Sequence, residues 1–126
     1  MRRLFALLLL ALLLFSLAGC GPRGDTSRVR LDQGPSQVLP REEVRAAMDA
    51  AMAAFRRDCG GMTLLRLRYD EAYSAAWVTA RDGVTEDTAT LVLLANYRDA
   101  DGLEHTGIPW VFVRDSHGSW EAGELP

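Results

Sequence analysis

The chain has 126 residues and a formal net charge of −3, and 25% of its residues are charged. This length is sufficient for one domain with its own hydrophobic core. The negative net charge argues against a nucleic-acid-binding protein and against electrostatic attraction to anionic lipids.

Residues 1–19 have the layout of a secretory signal peptide: two arginines, an apolar run from Leu4 to Phe15, and then small residues. This run is too short for a membrane-spanning helix, which needs about 20 apolar residues. The Leu-Ala-Gly-Cys sequence that follows resembles the lipobox of bacterial lipoproteins, in which a lipid is attached to the cysteine and the chain is cut before it. The resemblance implies cleavage between Gly19 and Cys20, a covalent lipid on Cys20, and a protein anchored to the cell membrane on its extracytoplasmic side. An uncleaved membrane anchor and ordinary secretion are the alternatives.

Residues 20–39 are rich in turn formers and charged residues and contain few core residues. They are predicted to form a flexible tether that begins at the lipidated cysteine. A single domain is expected over residues 40–126, and it should fold without the tether. Acylation of Cys20 would leave Cys59 unpaired, which excludes a disulfide framework. Cys59 is predicted to be a small buried hydrophobic residue.

The clearest helix signal covers Pro40 to Asp58. One apolar stripe recurs at helical spacing in this segment: Val44, Ala47, Met48, Ala51 and Phe55. Acidic residues at its start and arginines at its end suit the helix dipole, and Gly60 and Gly61 supply a stop. The stripe is predicted to face the core.

Strand patterns dominate the rest of the chain. Leu65, Leu67 and Tyr69 are predicted to share the inward face of the first of these strands. In chain order, the predicted elements are a strand over Met62–Tyr69, a short helix over Asp70–Arg81, and strands over Thr88–Arg98, Ile108–Arg114 and Ser119–Ala122. Together they predict an α+β fold: an N-terminal signal helix and flexible tether, then one main helix packed on a curved antiparallel sheet of about four strands.

This order of elements resembles a family of small bacterial lipoproteins with a domain of unknown function. The resemblance covers roughly residues 41–122 and is carried by Cys59, Leu64, Leu67–Glu71, Leu91–Leu94 and Trp110–Trp120. Such domains are similar to the nuclear transport factor 2-like superfamily, which implies a cone-shaped α+β fold. The family implies no activity, and its motifs are core and turn residues rather than catalytic signatures.

Two groups of side chains are candidates for a site. Asp99, Asp101 and Glu104 crowd one loop with Gly102 and His105, and oxygen ligands at alternating positions suit Ca²⁺. The spacing of an EF-hand is incomplete, so we predict a solvated hairpin loop and no metal or other cofactor. The second group is aromatic, and its members would either line a pocket between helix and sheet or fill the core: Tyr69, Trp77, Tyr97 and Trp110.

No catalytic motif is present in the sequence. The sequence therefore predicts a non-enzymatic, membrane-anchored binding or accessory module, whose partners are the lipid bilayer and an unknown protein or small molecule. The alternative is a small enzyme that uses a carboxylate in an apolar cone pocket, an analogy drawn from the fold alone.

Overall fold

The computed structural model describes residues 22–82 and 89–125 of the chain. Within these residues the fold is α+β, with two helices and one five-stranded sheet. The elements in chain order are β1 (Arg30–Asp32), α1 (Arg41–Asp58), β2 (Thr63–Arg68), α2 (Glu71–Asp82), β3 (Thr90–Arg98), β4 (Glu104–Arg114) and β5 (Trp120–Ala122). The predicted signal helix, Gly19 and Cys20 lie outside the described residues.

The strands follow the order β1-β2-β3-β4-β5 across the sheet. The four strands from β2 to β5 pair in antiparallel fashion, as predicted, whereas β1 runs parallel to β2. The prediction of about four strands missed β1. The reason is physical: three residues, Arg-Leu-Asp, are too few to show an alternating pattern, and their pairing depends on backbone hydrogen bonds with a distant strand.

Residues 22–39, which belong to the predicted tether, make contacts with the domain. The N–H of Gly24 donates a hydrogen bond to the carbonyl of Arg56 at 3.1 Å. A Cβ atom on Gly24 would lie 2.2 Å from the carbonyl oxygen of Phe55, so this close approach requires glycine. Leu39, at the other end of the segment, is buried. Side-chain patterns in the sequence did not indicate these backbone contacts.

The predicted apolar stripe of α1 is buried against one face of the sheet and forms the core. The sheet contributes Leu64, Leu67, Leu91, Leu93, Ala95, Tyr97, Trp110, Phe112 and Trp120 to the same cluster. The start of α1 is joined to β5, because the indole N–H of Trp120 donates to the carboxylate of Glu43 at 2.8 Å. The same carboxylate lies 3.5 Å from the guanidinium of Arg114.

The helix predicted over residues 70–81 is present as α2, and it packs beside β3 where β2 has ended. The pairing between β2 and β3 stops at Leu94, and among the described residues no strand pairs with the first residues of β3 on that side. The hydroxyl of buried Ser74 accepts the N–H of buried Val92 at 3.0 Å. This bond gives the N–H of Val92 a partner at the edge of β3, which α2 covers and shields from water.

The inward face of β2 differs from the prediction at one position. Leu64 is buried together with Leu67, whereas Leu65 is only partly buried. The register between β2 and β3 shifts between Leu64 and Arg66. Such a bulge places an extra residue in one strand and interrupts the alternation of side chains, which a strict period of two cannot anticipate.

Candidate functional site

The aromatic residues predicted to line one pocket have separate surroundings. Tyr69 borders a groove of about 710 Å³, and Trp110 borders a different cavity of about 380 Å³. Tyr97 stacks on a histidine of the β3–β4 hairpin, with ring centroids 4.7 Å apart. Trp77 is partly buried on α2, where the guanidinium of Arg81 lies 5.2 Å from its ring centroid. The fold therefore does not gather the four around a common cavity.

The groove beside Tyr69, called the Tyr69 groove below, lies between the segment after β1 and the start of α2. Pro35 and Ala75 contribute apolar wall, and Arg68 is an exposed cation at the rim. Gly34 has a φ of +60°, and a Cβ atom there would lie 2.9 Å from the carbonyl oxygen of Tyr69. The chain therefore needs glycine to turn this closely past the end of β2.

Glu71 fixes one wall of the Tyr69 groove. Its carboxylate accepts the backbone N–H of Gln37 at 2.8 Å and the backbone N–H of Val38 at 2.6 Å. These two donors belong to the segment between β1 and α1, which is more than thirty residues away in the chain. The carboxylate thus ties the first turn of α2 to that segment beside the groove.

The other carboxylates at the Tyr69 groove also have partners. Asp32 accepts a hydrogen bond from the guanidinium of Arg66 at 2.7 Å, and this bond lowers the pKa of Asp32. Asp70 precedes α2, and its side chain accepts the backbone N–H of Tyr73 at 3.1 Å, as an N-cap residue does. No lone buried carboxylate therefore stands in this groove.

The phenol of Tyr69 remains protonated at neutral pH. Burial raises the pKa of Tyr69, and the negative charge of Glu71 raises it further, while a hydrogen bond with the side chain of Ser36 acts in the opposite direction. The groove therefore presents a neutral phenol and apolar wall beside the cation of Arg68 and carboxylates that already have hydrogen-bond partners. Such a surface suits binding of a small or extended ligand better than acid–base chemistry.

Asp99 organises the acidic loop between β3 and β4. One carboxylate oxygen accepts the N–H groups of Asp101 and Leu103, both at 2.9 Å, and the other lies 2.9 Å from Nε2 of His105. The hydrogen bond with His105 is the main reason that the pKa of Asp99 falls below its usual range. Both oxygens of Asp99 thus serve the turn, while Asp101 and Glu104 are exposed.

This turn also explains why β4 is longer than predicted. β4 begins at Glu104 rather than at Ile108, because Tyr97 pairs with His105 and Arg98 pairs with Glu104 across the hairpin. Across residues 22–82 and 89–125, no group of three or more histidine, cysteine and acidic side chains is placed to hold a metal ion.

Asp99→Asn should make the stability of the domain less dependent on pH in the acidic range. The folded chain lowers the pKa of Asp99 below its ordinary value of 3.8, so the ionised carboxylate stabilises the fold above that pH. This contribution is lost as the pH falls through the lowered pKa. At pH 7 the variant should melt below the wild-type protein, and the difference should shrink as the pH is lowered below 3.8.

Thermal melting followed by circular dichroism between pH 7 and pH 3 tests this expectation. Asp101→Asn is the matched control, because the side chain of Asp101 is exposed in the same loop. A melting difference for Asp99→Asn that stays constant over the whole range would contradict the role assigned to its charge.

Cys59 is a free, partly buried thiol that follows the last residue of α1. It borders the cavity of about 380 Å³ together with Trp110 and Leu125. Burial raises the pKa of the Cys59 thiol, and the negative charge of Asp58 adds to the effect. A thiol with a raised pKa is a weak nucleophile at neutral pH, which supports a packing role for Cys59.

The first described residues reach one end of the domain, which we call the N-terminal surface and define as residues 22–24, 59–62 and 99–103. A Cβ atom on Gly60 would lie 2.3 Å from the carbonyl oxygen of Pro22, so the two backbones are in direct contact. A Cβ atom on Gly61 would lie 3.7 Å from the Cβ of Ala100, which brings the β3–β4 loop to the same end. Sequence patterns had indicated neither contact.

In the part of the chain that the structure describes, no helix has the length and apolar character needed to cross a membrane. The predicted signal segment precedes that part. The resemblance to the nuclear transport factor 2-like superfamily stays a prediction. Comparison of the chain with protein-family models, with curated proteins and with solved structures found no significant match in any of the three.

Proposed function

We propose that the protein is an extracytoplasmic lipoprotein, anchored by a lipid on Cys20, whose α+β domain is a non-enzymatic binding or accessory module. The observation that carries the proposal is the order of the N-terminus: two arginines, an apolar run too short to span a bilayer, small residues and then Cys20. Two acyl chains on one cysteine are sufficient for stable anchoring, whereas a single chain binds only marginally.

The position at which the fold begins supports this proposal. Gly24 is buried against α1, four positions after Cys20. A buried residue this close to Cys20 is compatible with a mature chain that begins at Cys20.

The Tyr69 groove is the surface on which the domain would bind a partner. Its carboxylates are engaged by Arg66, by the N-terminus of α2 and by the backbone of residues 37 and 38. A general acid or base must be able to exchange protons with a substrate, and groups that hold the fold together are poorly suited to that role. These contacts favour a binding module over the alternative of an enzyme with a carboxylate in an apolar cone pocket. The proposed partner is a protein segment or a small molecule.

Labelling of cells with a palmitate analogue tests the anchor. The wild-type protein and Cys59→Ala should both carry the label and remain in the membrane fraction. Cys20→Ala should lose the label and either remain at precursor size or leave the membrane. Cys59→Ala is the matched control because Cys59 is the only other cysteine. Equal labelling of Cys20→Ala and the wild type would refute the lipoprotein assignment.

A further inference from the structure

We propose that the domain lies directly on the bilayer with its N-terminal surface, and that the side chain of Leu103 enters the headgroup layer. This inference rests on the proposed lipid at Cys20. It goes further, because a lipid anchor by itself does not orient the domain that it carries. The proposed occupant of the surface is the phospholipid bilayer to which Cys20 is joined.

The short chain between the lipid and the fold is what restrains the domain. Three residues separate Cys20 from Gly24, the first buried residue of the described chain. A fully extended chain spans at most about 3.6 Å per residue, which places the two Cα atoms within about 14 Å of each other. The polar layer on each side of a bilayer is roughly 6 Å thick. The domain therefore has no long tether with which to leave the membrane surface.

The backbone contacts of Gly24 and Pro22 decide which end of the domain is held there. Gly24 is hydrogen-bonded to the carbonyl of Arg56 at the end of α1, and Pro22 lies against Gly60. These bonds place the restrained point at the C-terminal end of α1 and at the start of β2, where Asp25 bridges to Thr63. The N-terminal surface must then face the lipid.

The β3–β4 loop is part of that surface and carries a large exposed apolar side chain. Ala100 lies next to Gly61, and the carbonyl of Leu103 accepts the N–H of Asp99 at 2.9 Å, so Leu103 closes the same turn. Its side chain is 62% exposed, more than any other large apolar side chain among the described residues. An apolar side chain at this position gains burial when the surface meets lipid.

The opposite end of the domain provides a matched comparison. Val38 is another large exposed apolar side chain, at 50% exposure, and its N–H is bound by Glu71 beyond the end of β2. The six residues of β2 separate the two ends by about 20 Å at roughly 3.3 Å per residue. The proposed orientation therefore puts Leu103 in the headgroups and Val38 in water.

The charges on the N-terminal surface and at its rim do not determine this orientation. Arg23 and Arg98 are exposed there, as are Asp101 and Glu104, so cations and anions are both present. The negative net charge of the chain also gives no attraction to anionic lipid. We therefore expect the covalent anchor and Leu103 to orient the domain, and the orientation to persist at high salt.

The experiment uses the mature lipoprotein reconstituted into vesicles of phosphatidylethanolamine and phosphatidylglycerol. Leu103→Cys and Val38→Cys are prepared separately, each combined with Cys59→Ala, and labelled with a small environment-sensitive fluorophore. The thiol of Cys20 is not labelled, because the lipid occupies it. Vesicles that also contain a lipid with a nitroxide in the headgroup region quench fluorophores that lie at that depth. Asp101→Cys supplies a second probe in the same loop.

We expect blue-shifted emission from the probes at positions 103 and 101, and strong quenching of both by the nitroxide lipid. The probe at position 38 should show neither the blue shift nor the quenching. Equal quenching at positions 103 and 38, absence of quenching at both, or stronger quenching at position 38 would each overturn the orientation. Flotation of each sample with its vesicles separates the two proposals. A sample that floats but shows no quenching at position 103 contradicts the orientation alone, whereas a chain that never acquires lipid contradicts the proposed function.

Discussion

Replacing Phe55 with alanine should lower the free energy of unfolding by roughly 3–5 kcal/mol, from lost transfer energy and the cavity that remains. The side chain of Phe55 is fully buried on α1. It contacts two parts of the fold, because it belongs to the core between α1 and the sheet and also lies against Gly24 of the N-terminal segment. To close the cavity left by the phenyl ring, both the core and the N-terminal segment would have to move. Chemical denaturation of the two proteins measures the difference.

Tyr73→Ala is the matched control for Phe55→Ala. Tyr73 is also an aromatic residue on a helix, but its side chain is 39% exposed on α2. Its removal should cost much less than the removal of Phe55, since most surface substitutions change stability by about 0.5 kcal/mol or less. Losses of equal size in the two variants would show that the face of α1 that carries Phe55 is not the centre of the core.

Removal of residues 22–39 should abolish cooperative folding or reduce stability severely. A chain that begins at Pro40 lacks β1, which leaves the edge of β2 unpaired, and it lacks Leu39, which is buried in the core cluster. Burial of one leucine side chain contributes about 1.5–3 kcal/mol. The carboxylate of Glu71 also loses both of its backbone donors. Whole domains have only about 5–15 kcal/mol of stability, so these losses together are large.

The matched chain for this comparison begins at Pro22 and retains the entire described fold. Thermal unfolding followed by circular dichroism should show a single cooperative transition for the longer chain and a weak or absent one for the shorter chain. Similar melting temperatures for the two would mean that residues 22–39 act as the flexible tether that their composition had indicated, and that β1 contributes nothing to stability.

Local periodicity was sufficient to predict the elements that carry their own signal. The stripe of α1 repeats along five positions, and Trp110 and Phe112 alternate with Val111 and Val113 along β4. Trp110 and Phe112 are indeed buried, whereas Val113 is exposed. Such patterns succeed because the side chains of one helix or strand face the core at intervals set by the backbone geometry of that element.

The N-terminal segment and the site depended on contacts between distant parts of the chain. The turn formers of residues 22–39 indicated flexibility, yet Gly24 and Gly34 are required there because another backbone lies within a few ångströms. The engagement of Glu71 by residues 37 and 38 was equally invisible, since a glutamate at the start of a helix also suits the helix dipole alone.

The sequence by itself determined the α+β class, the main helix that supplies one side of the core, and the last two strands. It indicated the N-terminal export and lipidation signal as a prediction. Only the tertiary structure decided that β1 joins the sheet, that a bulge buries Leu64 in place of Leu65, and that the four aromatic residues are dispersed. The physical reason is the same in each case. Side-chain periodicity records which face of an element is buried, whereas pairing between strands and the position of loops depend on backbone groups that nearly every residue carries alike.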